Sequence, residues 1–351
     1  MMNFSFITPD QLHYVAKEWK KLEVGEDMSY FQSYNWYAML NALNYDIRDK
    51  KFDIGYAIVR KNGNIKLIAP LWIVHRTFGK FNRKGIYLFG RGQWSDYLNF
   101  IYDEWDEAVA RFLFANLKDS FHIDRFYFEN LKTTTELAQF IKINYKIITE
   151  RKSICVGLSL PASSEEYIRM LSKNSRQNIR TARNRAVKDN VKFIYDFDDK
   201  NVDIAAFSEF RAERVTEKNR FDGMTVKWRI LNFISTNILH RGWYRFKEYA
   251  PYTHDGNSRF ISLKTIDGKL CSAFNYGVDK THRQIVLMAV STNEQYSRYS
   301  PGILLLSAFI EKLIKDDEIV SIDFTRGNEH YKYALGGKEH YISGLEFICN
   351  E

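Results

Sequence analysis

Two segments of this 351-residue chain have the same arrangement of strand, tight turn and strand. The first is IGYAIVRKNGNIKLIAPLWI (54–73), which turns at Asn62-Gly63, and the second is RFISLKTIDGKLCSAFNYGV (259–278), which turns at Asp267-Gly268. Asn-Gly and Asp-Gly favour tight hairpin turns because both residues tolerate positive φ angles. The two hairpins predict antiparallel sheet in both halves of the chain.

Each hairpin is followed by the same pair of predicted elements. The first half continues into a helix at 106–117 and a strand at 123–129, and the second into a helix at 302–314 and a strand at 318–324. Similar spacing in unlike sequences indicates a duplicated fold rather than a solenoid. We therefore predict a mixed α/β (α+β) chain in which each half has a mostly antiparallel central sheet flanked by helices.

The boundary between the halves is predicted near residues 150–165. ICVGLSL (154–160) is typical of a strand, which Pro161 would end. A chain of 351 residues is long enough for two domains. We assign residues 1–155 to an N-terminal lobe and residues 156–351 to a C-terminal lobe.

Composition and motif spacing disfavour several classes of protein. No apolar run approaches the roughly 20 residues that a membrane-spanning helix needs, and the N-terminus lacks the apolar core of a signal peptide, so we expect a cytoplasmic protein. Cys155, Cys271 and Cys349 show no CxxC or Cys/His spacing, which predicts reduced, structural thiols. The eight histidines show no HxH or HExxH spacing, so no metal site is predicted.

Positive charge is concentrated in one predicted helix. Residues 169–192 contain eight Lys or Arg side chains and one acidic residue, whereas the net charge of the whole chain is +8. Lys173, Arg176, Arg180 and Arg183 recur at helical spacing and would form one stripe. Two interpretations remain open: a solvated helix face, or a surface that meets phosphates of a nucleotide-linked substrate, RNA or anionic lipid headgroups.

The start of the helix at 302–314 is a candidate anion site. Ser300 is a favoured N-cap residue, and Pro301 suits the first helical position. Gly302 would let a ligand approach the backbone closely, and the free N–H groups and the helix dipole attract phosphate. Many helices begin in this way, so the motif alone does not identify the ligand.

Several motifs, in order and spacing, resemble the CelD/BcsL-type acetyltransferases, a branch of the GNAT superfamily often encoded with polysaccharide genes. In the second half they are LSKNSRQNIR (171–180), FRAERV (210–215), IDGKLCSAFNYG (266–277), YSPGILLL (299–306) and IDFTRGNEHYKYAL (322–335). In the first half they are YFQSYNWY (30–37), IAPLWI (68–73) and FGRGQWSDYLNF (89–100). The family often has DFG before its last motif, whereas this chain has Asp323-Phe324-Thr325 and reaches a glycine only at Gly327. The resemblance covers nearly the whole chain and implies tandem GNAT-like lobes.

This resemblance implies an enzyme that uses acetyl-CoA or another acyl-CoA as co-substrate. The strand MAVST (288–292) would pair with the pantetheine arm of the donor. The corresponding helix of the first half is preceded by YDEWDEA (102–108), which is acidic where a pyrophosphate would lie. We therefore expect donor binding only in the C-terminal lobe. The expected donor-binding residues are Val290, Arg298, Ser300, Gly302, Ile303 and Leu304.

Three residues of the last motif are candidate catalytic groups. Asp323 could orient or deprotonate the acceptor, or it could be a helix cap or a member of a buried ion pair. Tyr331 could protonate the departing thiolate, or it could simply pack. The resemblance places Lys332 at the reacting end of the donor, where an ammonium would stabilise negative charge on the thioester oxygen or on sulfur.

The acceptor is expected to be an amine or hydroxyl of a sugar, sugar nucleotide or cell-envelope or polysaccharide precursor. Asp96 and Tyr97 match the SDY of the family and would face the cleft between the lobes. Arg214 would bind the acceptor or a substrate anion, unless it packs against Trp228 or Phe221. The basic stripe adds three candidate substrate-binding residues, which are Lys173, Arg176 and Arg180.

Two other functions remain open. The two-lobed architecture also resembles the Fem transferases, which move amino acids from tRNA onto peptidoglycan precursors, and the basic stripe would suit tRNA. The chain shows no extended helical arm of the kind that those enzymes carry. A non-catalytic binding module with a GNAT fold is the remaining alternative.

Overall fold

The computed structural model describes residues 1–44, 52–77, 83–90, 95–211 and 258–349. The chain divides into two compact units. The first contains Met1–Cys155 together with the chain from Glu339 onward, and the second is Val156–Lys338.

The first unit combines a sheet with four α-helices and two short 3₁₀ helices among its described residues. Its strands are β1 (Met2–Ile7), β2 (Phe52–Lys61), β3 (Asn64–Val74), β4 (Gly85–Leu88), β5 (Arg125–Lys132) and β12 (Lys338–Ile348), and β6 (Lys146–Ser159) contains the boundary. Its α-helices are α1 (Ala16–Leu22), α2 (Tyr34–Asn44), α3 (Glu107–Phe121) and α4 (Glu136–Asn144), and its 3₁₀ helices are Pro9–Val15 and Tyr30–Gln32.

The β2–β3 hairpin forms at the predicted Asn-Gly turn. Asn62 and Gly63 have φ angles of 54° and 84°, and Lys61 pairs with Asn64. Two successive positive φ angles give a turn whose twist matches that of the flanking strands. The predicted hairpin of the first half is therefore confirmed.

In the first unit the strand order is β1-β2-β3-β4-β5-β12. β4 is antiparallel to β3 and parallel to β5, and β12 is antiparallel to β5 with Phe347 opposite Phe126. The sequence assigned every residue from 156 to 351 to the C-terminal lobe. The chain from Glu339 onward instead belongs to the first unit, because β12 obtains its backbone hydrogen bonds from β5.

The second unit repeats this arrangement. Its strands are β7 (Phe193–Asp196), β8 (Ser258–Thr265), β9 (Leu270–Asp279), β10 (Gln284–Thr292) and β11 (Ser321–Arg326), in the order β11-β10-β9-β8-β7. Its helices are α5 (Ser164–Met170), α6 (Lys173–Lys188), α7 (Pro301–Asp316) and α8 (His330–Ala334), with a 3₁₀ helix at Glu294–Tyr299 and further helical residues at 204–211.

The duplicated fold that the sequence predicts is confirmed by the strand pairing. In both units a hairpin is followed by a third strand that is antiparallel to it and parallel to a fourth. A helix connects the third strand to the fourth in each case, α3 in the first unit and α7 in the second. Parallel neighbours need such a crossover because a short turn cannot return the chain to the same end of the sheet.

Helix α7 supplies much of the core of the second unit. One face of this helix is buried against β8, β9 and α6, and Leu304, Leu305 and Ile310 on that face are at most 1% exposed. Burial of each such side chain is worth about 1.5–3 kcal/mol. The helix is thereby fixed on the sheet, and its first turn is held in a defined position. Within the described residues, no helix is both long and apolar enough to cross a bilayer.

Candidate functional site

Strands β10 and β11 separate at one end and create an opening in the sheet of the second unit. Their parallel pairing runs from Gln284↔Ser321 to Val286↔Asp323 in the described residues. A bulge interrupts the β9–β10 register between Leu287 and Ala289, and a bulge bends the strand that carries it. The β10 segment beyond the bulge keeps β9 as its neighbour on one edge.

Helix α7 begins beside this opening with an unusual first turn. Ser300 has φ 47° and ψ 55°, which is the left-handed region that non-glycine residues rarely adopt. Its side chain makes no capping hydrogen bond, so the predicted N-cap interaction is wrong, although Pro301 does stand at the start of the helix. The first intrahelical bond here runs from the Leu304 N–H to the Ser300 carbonyl. The N–H groups of Gly302 and Ile303 thus lack the usual N-cap partner.

A cavity of about 220 Å³ lies at this helix start. Its wall is formed by the strands β9 and β10, the 3₁₀ helix at Glu294–Tyr299, the first residues of α7, and Tyr331 of α8. The lining residues are Phe274, Val290, Thr292, Ser297, Ser300, Pro301, Gly302, Ile303 and Tyr331. Exposed N–H groups and a positive helix end beside a largely apolar wall suit a ligand with a phosphate and an apolar arm.

Four of the six predicted donor-binding residues line the cavity, namely Val290, Ser300, Gly302 and Ile303. Leu304 does not, because its side chain is 1% exposed within the core face of α7. Arg298 does not either: its side chain is largely exposed, and its Nε lies 3.1 Å from Asp189 Oδ2.

The sequence did not single out Phe274, Thr292, Ser297 or Pro301 as individual ligand contacts. Phe274 and Thr292 lie on strands whose alternate residues face α7, and that period-two pattern could have found them. Ser297 lies in the 3₁₀ helix before the turn, and no pattern in the sequence marked it.

Tyr331 reaches the cavity from the first turn of α8. Its ring centroid lies 6.4 Å from that of Phe274 and 6.4 Å from that of Phe324. The Phe324 ring is almost perpendicular to it, which is a favourable edge-to-face arrangement. The structure thus places this predicted catalytic residue at the cavity and orients its ring by packing.

Lys332 is directed away from the cavity wall. Its side chain is 3% exposed, and Nζ donates to the carbonyl oxygens of Thr325, Arg326 and Gly327 at 3.1, 2.9 and 3.1 Å. Glu329 Oε2 lies 3.0 Å from the same nitrogen. The predicted role in charge stabilisation is therefore replaced by a structural one, because an ammonium has only three protons and all are directed at this loop.

Asp323 stabilises the same segment at its N-terminal end. The side chain is 6% exposed, and Oδ1 accepts a hydrogen bond from the Thr325 N–H at 2.6 Å. Thr325 has φ 60°, and Gly327 has φ 112°. A local backbone contact of this kind stabilises a left-handed residue. Asp323 is not among the residues that line the cavity, so the geometry favours a structural role over that of a general base. That role is a local contact at the end of β11 rather than the helix cap offered as an alternative, because Glu329 stands at the N-cap of α8.

Asp96 and Tyr97 lie in the first unit. Asp96 is partly buried, and Tyr97 adopts φ 54° with its carbonyl accepting a hydrogen bond from Gln32 Nε2 at 2.8 Å. The Tyr97 hydroxyl lies 2.9 Å from His340 Nε2, and the two rings stack with centroids 5.6 Å apart. His340 could not be found from sequence patterns, because it is 243 positions from Tyr97 along the chain.

The predicted basic stripe on α6 is largely occupied by contacts within the second unit. Arg176 donates to the carbonyls of Ile168 and Leu171 at 3.3 and 2.8 Å, at the end of α5. Arg183 forms an ion pair of 3.1 Å with Glu311, and Arg180 bonds to the Gln177 side chain. Lys173 is exposed, and Arg214 lies outside the described residues.

Cysteine and metal chemistry find no support among the described residues. Cys155, Cys271 and Cys349 are all buried and form no disulfide in the described part of the chain, and burial raises the pKa of Cys271 to about 12. A thiol with so high a pKa is a poor nucleophile at neutral pH. In the part of the chain that the structure describes, no three His, Cys, Asp or Glu side chains form a group that could hold a metal ion.

Comparison with known proteins agrees with this geometry. Residues 173–333 match the acetyltransferase (GNAT) domain. The search of curated proteins gives no significant match.

Three solved structures cover almost the whole chain. FemX is 10% identical, with 99% of this chain and 98% of that chain covered and a TM-score of 0.63. A conserved protein of unknown function from Bacteroides thetaiotaomicron is 11% identical, with 99% and 100% covered and a TM-score of 0.55. A tandem GNAT protein from the clavulanic acid biosynthesis pathway is 9% identical, with 99% and 98% covered and a TM-score of 0.50. At these identities the likeness establishes the fold alone, and the CelD/BcsL branch stays a prediction. The chain has a tandem GNAT-like fold, and its residues 173–333 match the acetyltransferase (GNAT) domain.

Proposed function

We propose that this protein is an acyl-CoA-dependent acyltransferase of the GNAT type, which transfers an acetyl or other acyl group to an amine or hydroxyl. The observation that carries the proposal is the cavity at the start of α7. There, two backbone N–H groups and the positive end of a 16-residue helix meet the opening between β10 and β11.

The cavity residues divide naturally among the parts of such a donor. The N–H groups of Gly302 and Ile303 would hold the pyrophosphate. The edge of β10 beyond the bulge would pair with the amides of the pantetheine arm, in the manner of an added strand. Val290 and Phe274 would contact the apolar parts of that arm.

Tyr331 would act at the reacting end of the donor. The nucleophile attacks the thioester carbonyl carbon, the new C–N or C–O bond forms, and the C–S bond breaks. The thiolate takes a proton from the Tyr331 hydroxyl, the nucleophile loses its own proton to solvent, and the Tyr331 phenolate regains a proton from solvent, so that the enzyme returns to its starting state. This division needs no dedicated base, because holding the two reactants together supplies much of the rate enhancement.

The first unit would not bind a donor. Asp106 Oδ1 accepts the N–H groups of Ala108 and Val109 at 3.0 and 3.2 Å, so a carboxylate already occupies the start of α3. Lys61 bonds to the same side chain at 2.7 Å. Beyond the end of β4, Ile101 bridges to β3 and Leu98 bridges to β5, and both residues are fully buried. The space that is a cavity in the second unit is therefore filled in the first.

The acceptor class rests on the motif resemblance. We propose a sugar, a sugar nucleotide or a cell-envelope or polysaccharide precursor. Asp96 and Tyr97 stay candidates for acceptor binding in the first unit, as does Lys173 in the second.

A Fem-like transfer from aminoacyl-tRNA is the second candidate. The similarity to FemX over 99% of the chain favours it, as does the surplus of cations on α6. Salt-sensitive binding of charged tRNA, weakened by Arg180→Glu, would support it, whereas tRNA-independent use of acetyl-CoA would exclude it. A non-catalytic module would need no donor cavity and is the weakest of the three.

The test combines acetyl-CoA binding with Gly302→Ala. A Cβ at residue 302 would lie 3.5 Å from Thr292 Oγ1 and 3.7 Å from the Phe274 ring, so the folded protein accommodates it. Alanine is also the better helix former by about 1 kcal/mol. We expect thermal stability to hold or rise, while calorimetry shows acetyl-CoA affinity falling about tenfold or more as the phosphate loses close backbone contact.

Asp106→Asn is the matched control, because it changes the equivalent helix start in the first unit. Its acetyl-CoA affinity should equal that of the wild type. An absence of acetyl-CoA binding by the wild-type protein, or full affinity in Gly302→Ala, would contradict the donor assignment.

A further inference from the structure

Asn275 has a buried oxygen that the protein leaves unsatisfied. The residue is 0% exposed in β9, and its Nδ2 donates to the Arg259 carbonyl at 3.2 Å, whereas Oδ1 has no hydrogen-bond partner among the residues that the structure describes. A buried carbonyl without a partner destabilises a fold by about as much as one or two ordinary hydrogen bonds contribute, so such groups are rare in folded proteins. A ligand that donates a hydrogen bond to this oxygen would remove this free-energy cost.

The position of Asn275 relates it to the proposed reacting centre. In the β9–β10 register Asn275 is opposite Ala289, the residue directly after the bulge. The parallel pairing of β10 with β11 has already ended at Val286, so the opening lies along the other edge of this same segment. Asn275 is thus one strand away from the edge to which the pantetheine arm is assigned.

Asn275 faces the side of the sheet opposite the donor cavity. Phe274 and Val290 line the cavity on the α7 side. Neighbouring residues of a strand point to opposite faces, so Asn275 and Ala289 share the other face. There Ala273 and Ala289 pack with Phe207 and Phe260. The unsatisfied oxygen therefore lies beside this apolar cluster, on the face of the sheet opposite the donor cavity, and a second reactant that reached it would approach the thioester from the side that the donor leaves open.

We propose that Asn275 Oδ1 accepts a hydrogen bond from the nucleophilic N–H or O–H of the acceptor and so orients its lone pair towards the thioester carbon. This inference rests on the proposed function and deepens it by assigning an acceptor-orienting residue. The amide does not ionise, so Asn275 removes no proton and acts by orientation alone. The contact requires an acceptor with at least one N–H or O–H hydrogen and discriminates against tertiary amines.

Asn275→Leu and Ser291→Ala test the assignment together. Ser291 is buried on the same face as Asn275, but its hydroxyl donates to the Phe207 carbonyl at 2.8 Å and is satisfied. Each variant is compared with the wild type by thermal unfolding, by acetyl-CoA titration calorimetry, and by CoA release at saturating acetyl-CoA with glucosamine as the amine probe.

Opposite patterns are expected. Leucine keeps the volume and removes the unsatisfied oxygen, a gain that offsets the lost hydrogen bond from Nδ2 to the Arg259 carbonyl, so Asn275→Leu should unfold at about the wild-type temperature. It should bind acetyl-CoA normally and show a KM for glucosamine raised about tenfold, the effect of one lost hydrogen bond. Ser291→Ala should unfold at a lower temperature with an unchanged KM. A lower unfolding temperature for Asn275→Leu, or an unchanged KM, would overturn the proposal.

The stability measurement keeps this inference separate from the proposed function. If the wild-type protein does not bind acetyl-CoA, the donor assignment fails and the acceptor role fails with it. If the protein binds acetyl-CoA but does not acylate glucosamine, KM cannot be measured, and thermal unfolding becomes the test. A loss of stability in Asn275→Leu then shows that the amide is a structural group and overturns the proposal. Retained stability supports an oxygen reserved for a ligand.

Discussion

Lys332 and Tyr331 are adjacent in the sequence, yet the structure gives them different tasks. Tyr331 lines the cavity, whereas the Lys332 ammonium is surrounded by three successive carbonyls and Glu329. Those carbonyls belong to the last two residues of β11 and the first residue of the loop that follows it, and Thr325 and Gly327 in this segment have positive φ. Lys332 therefore holds the loop that positions Tyr331.

Lys332→Met should destabilise the protein by about 3 kcal/mol or more, because it leaves three carbonyls and a carboxylate without their cation. Urea unfolding measures the change, and the exposed Lys338→Met is the control, expected to stay within about 0.5 kcal/mol of the wild type. A variant of normal stability that has lost only turnover would restore the catalytic role that the sequence suggested.

At the scale of elements, helix α6 shows that a row of cations can be part of the scaffold. Arg176 bonds to the last carbonyls of α5, and Arg183 pairs with Glu311 on α7. The carbonyls at a helix end need partners, and a guanidinium can satisfy several at once. Part of the charge that looked available to a ligand is therefore used to join α5, α6 and α7.

Arg176→Ala should lower the free energy of unfolding by about 1–2 kcal/mol, as expected for the loss of a helix-end contact. Arg180→Ala removes a contact with Gln177 on the same helix, so it should change the free energy of unfolding by less than about 0.5 kcal/mol. Chemical denaturation of the two variants side by side decides the matter. If both variants change the free energy of unfolding by the same small amount, Arg176 has no structural role and belongs to the exposed basic stripe.

The start of α3 should make stability depend on pH. The hydrogen bond from Lys61, with smaller contributions from the Val109 and Ala108 N–H groups, holds the pKa of Asp106 below its ordinary value despite opposing desolvation. In acid the unfolded chain therefore binds a proton at this residue before the folded chain does, and stability is lost as pH falls through the lowered pKa.

Asp106→Ala should cost about 1 kcal/mol near pH 7, chiefly through the lost N-cap, because the ion pair is partly exposed and contributes little. The difference from the wild type should shrink as pH is lowered below the ordinary range of aspartate. Thermal unfolding as a function of pH measures it. A difference that is constant down to strongly acid pH would contradict the linkage.

At the scale of the whole molecule, the two units share one strand arrangement, as a duplicated fold would. They differ in the surroundings of the end of the third strand, which is β4 in the first unit and β10 in the second. In the second unit this arrangement leaves a cavity, whereas in the first unit a carboxylate and buried side chains occupy the equivalent places. Isothermal titration should therefore give one acetyl-CoA per chain. Two equivalents would show that the first unit also binds donor.

The sequence alone was sufficient for the hairpins, the helix–strand order and the duplication, because these follow from local turn chemistry and from hydrophobic periodicity. It also located the helix start that lines the cavity, since Ser300, Pro301 and Gly302 are contiguous. The contacts between residues that are far apart in the sequence were decided by the tertiary structure. β12 belongs to the first unit because it pairs with β5, and the His340 ring lies within hydrogen-bond distance of the Tyr97 hydroxyl. The Lys332 ammonium bonds to backbone carbonyls and does not line the cavity. In each case the outcome depended on which distant backbone group or side chain lay within hydrogen-bond reach, and only the assembled fold sets that distance.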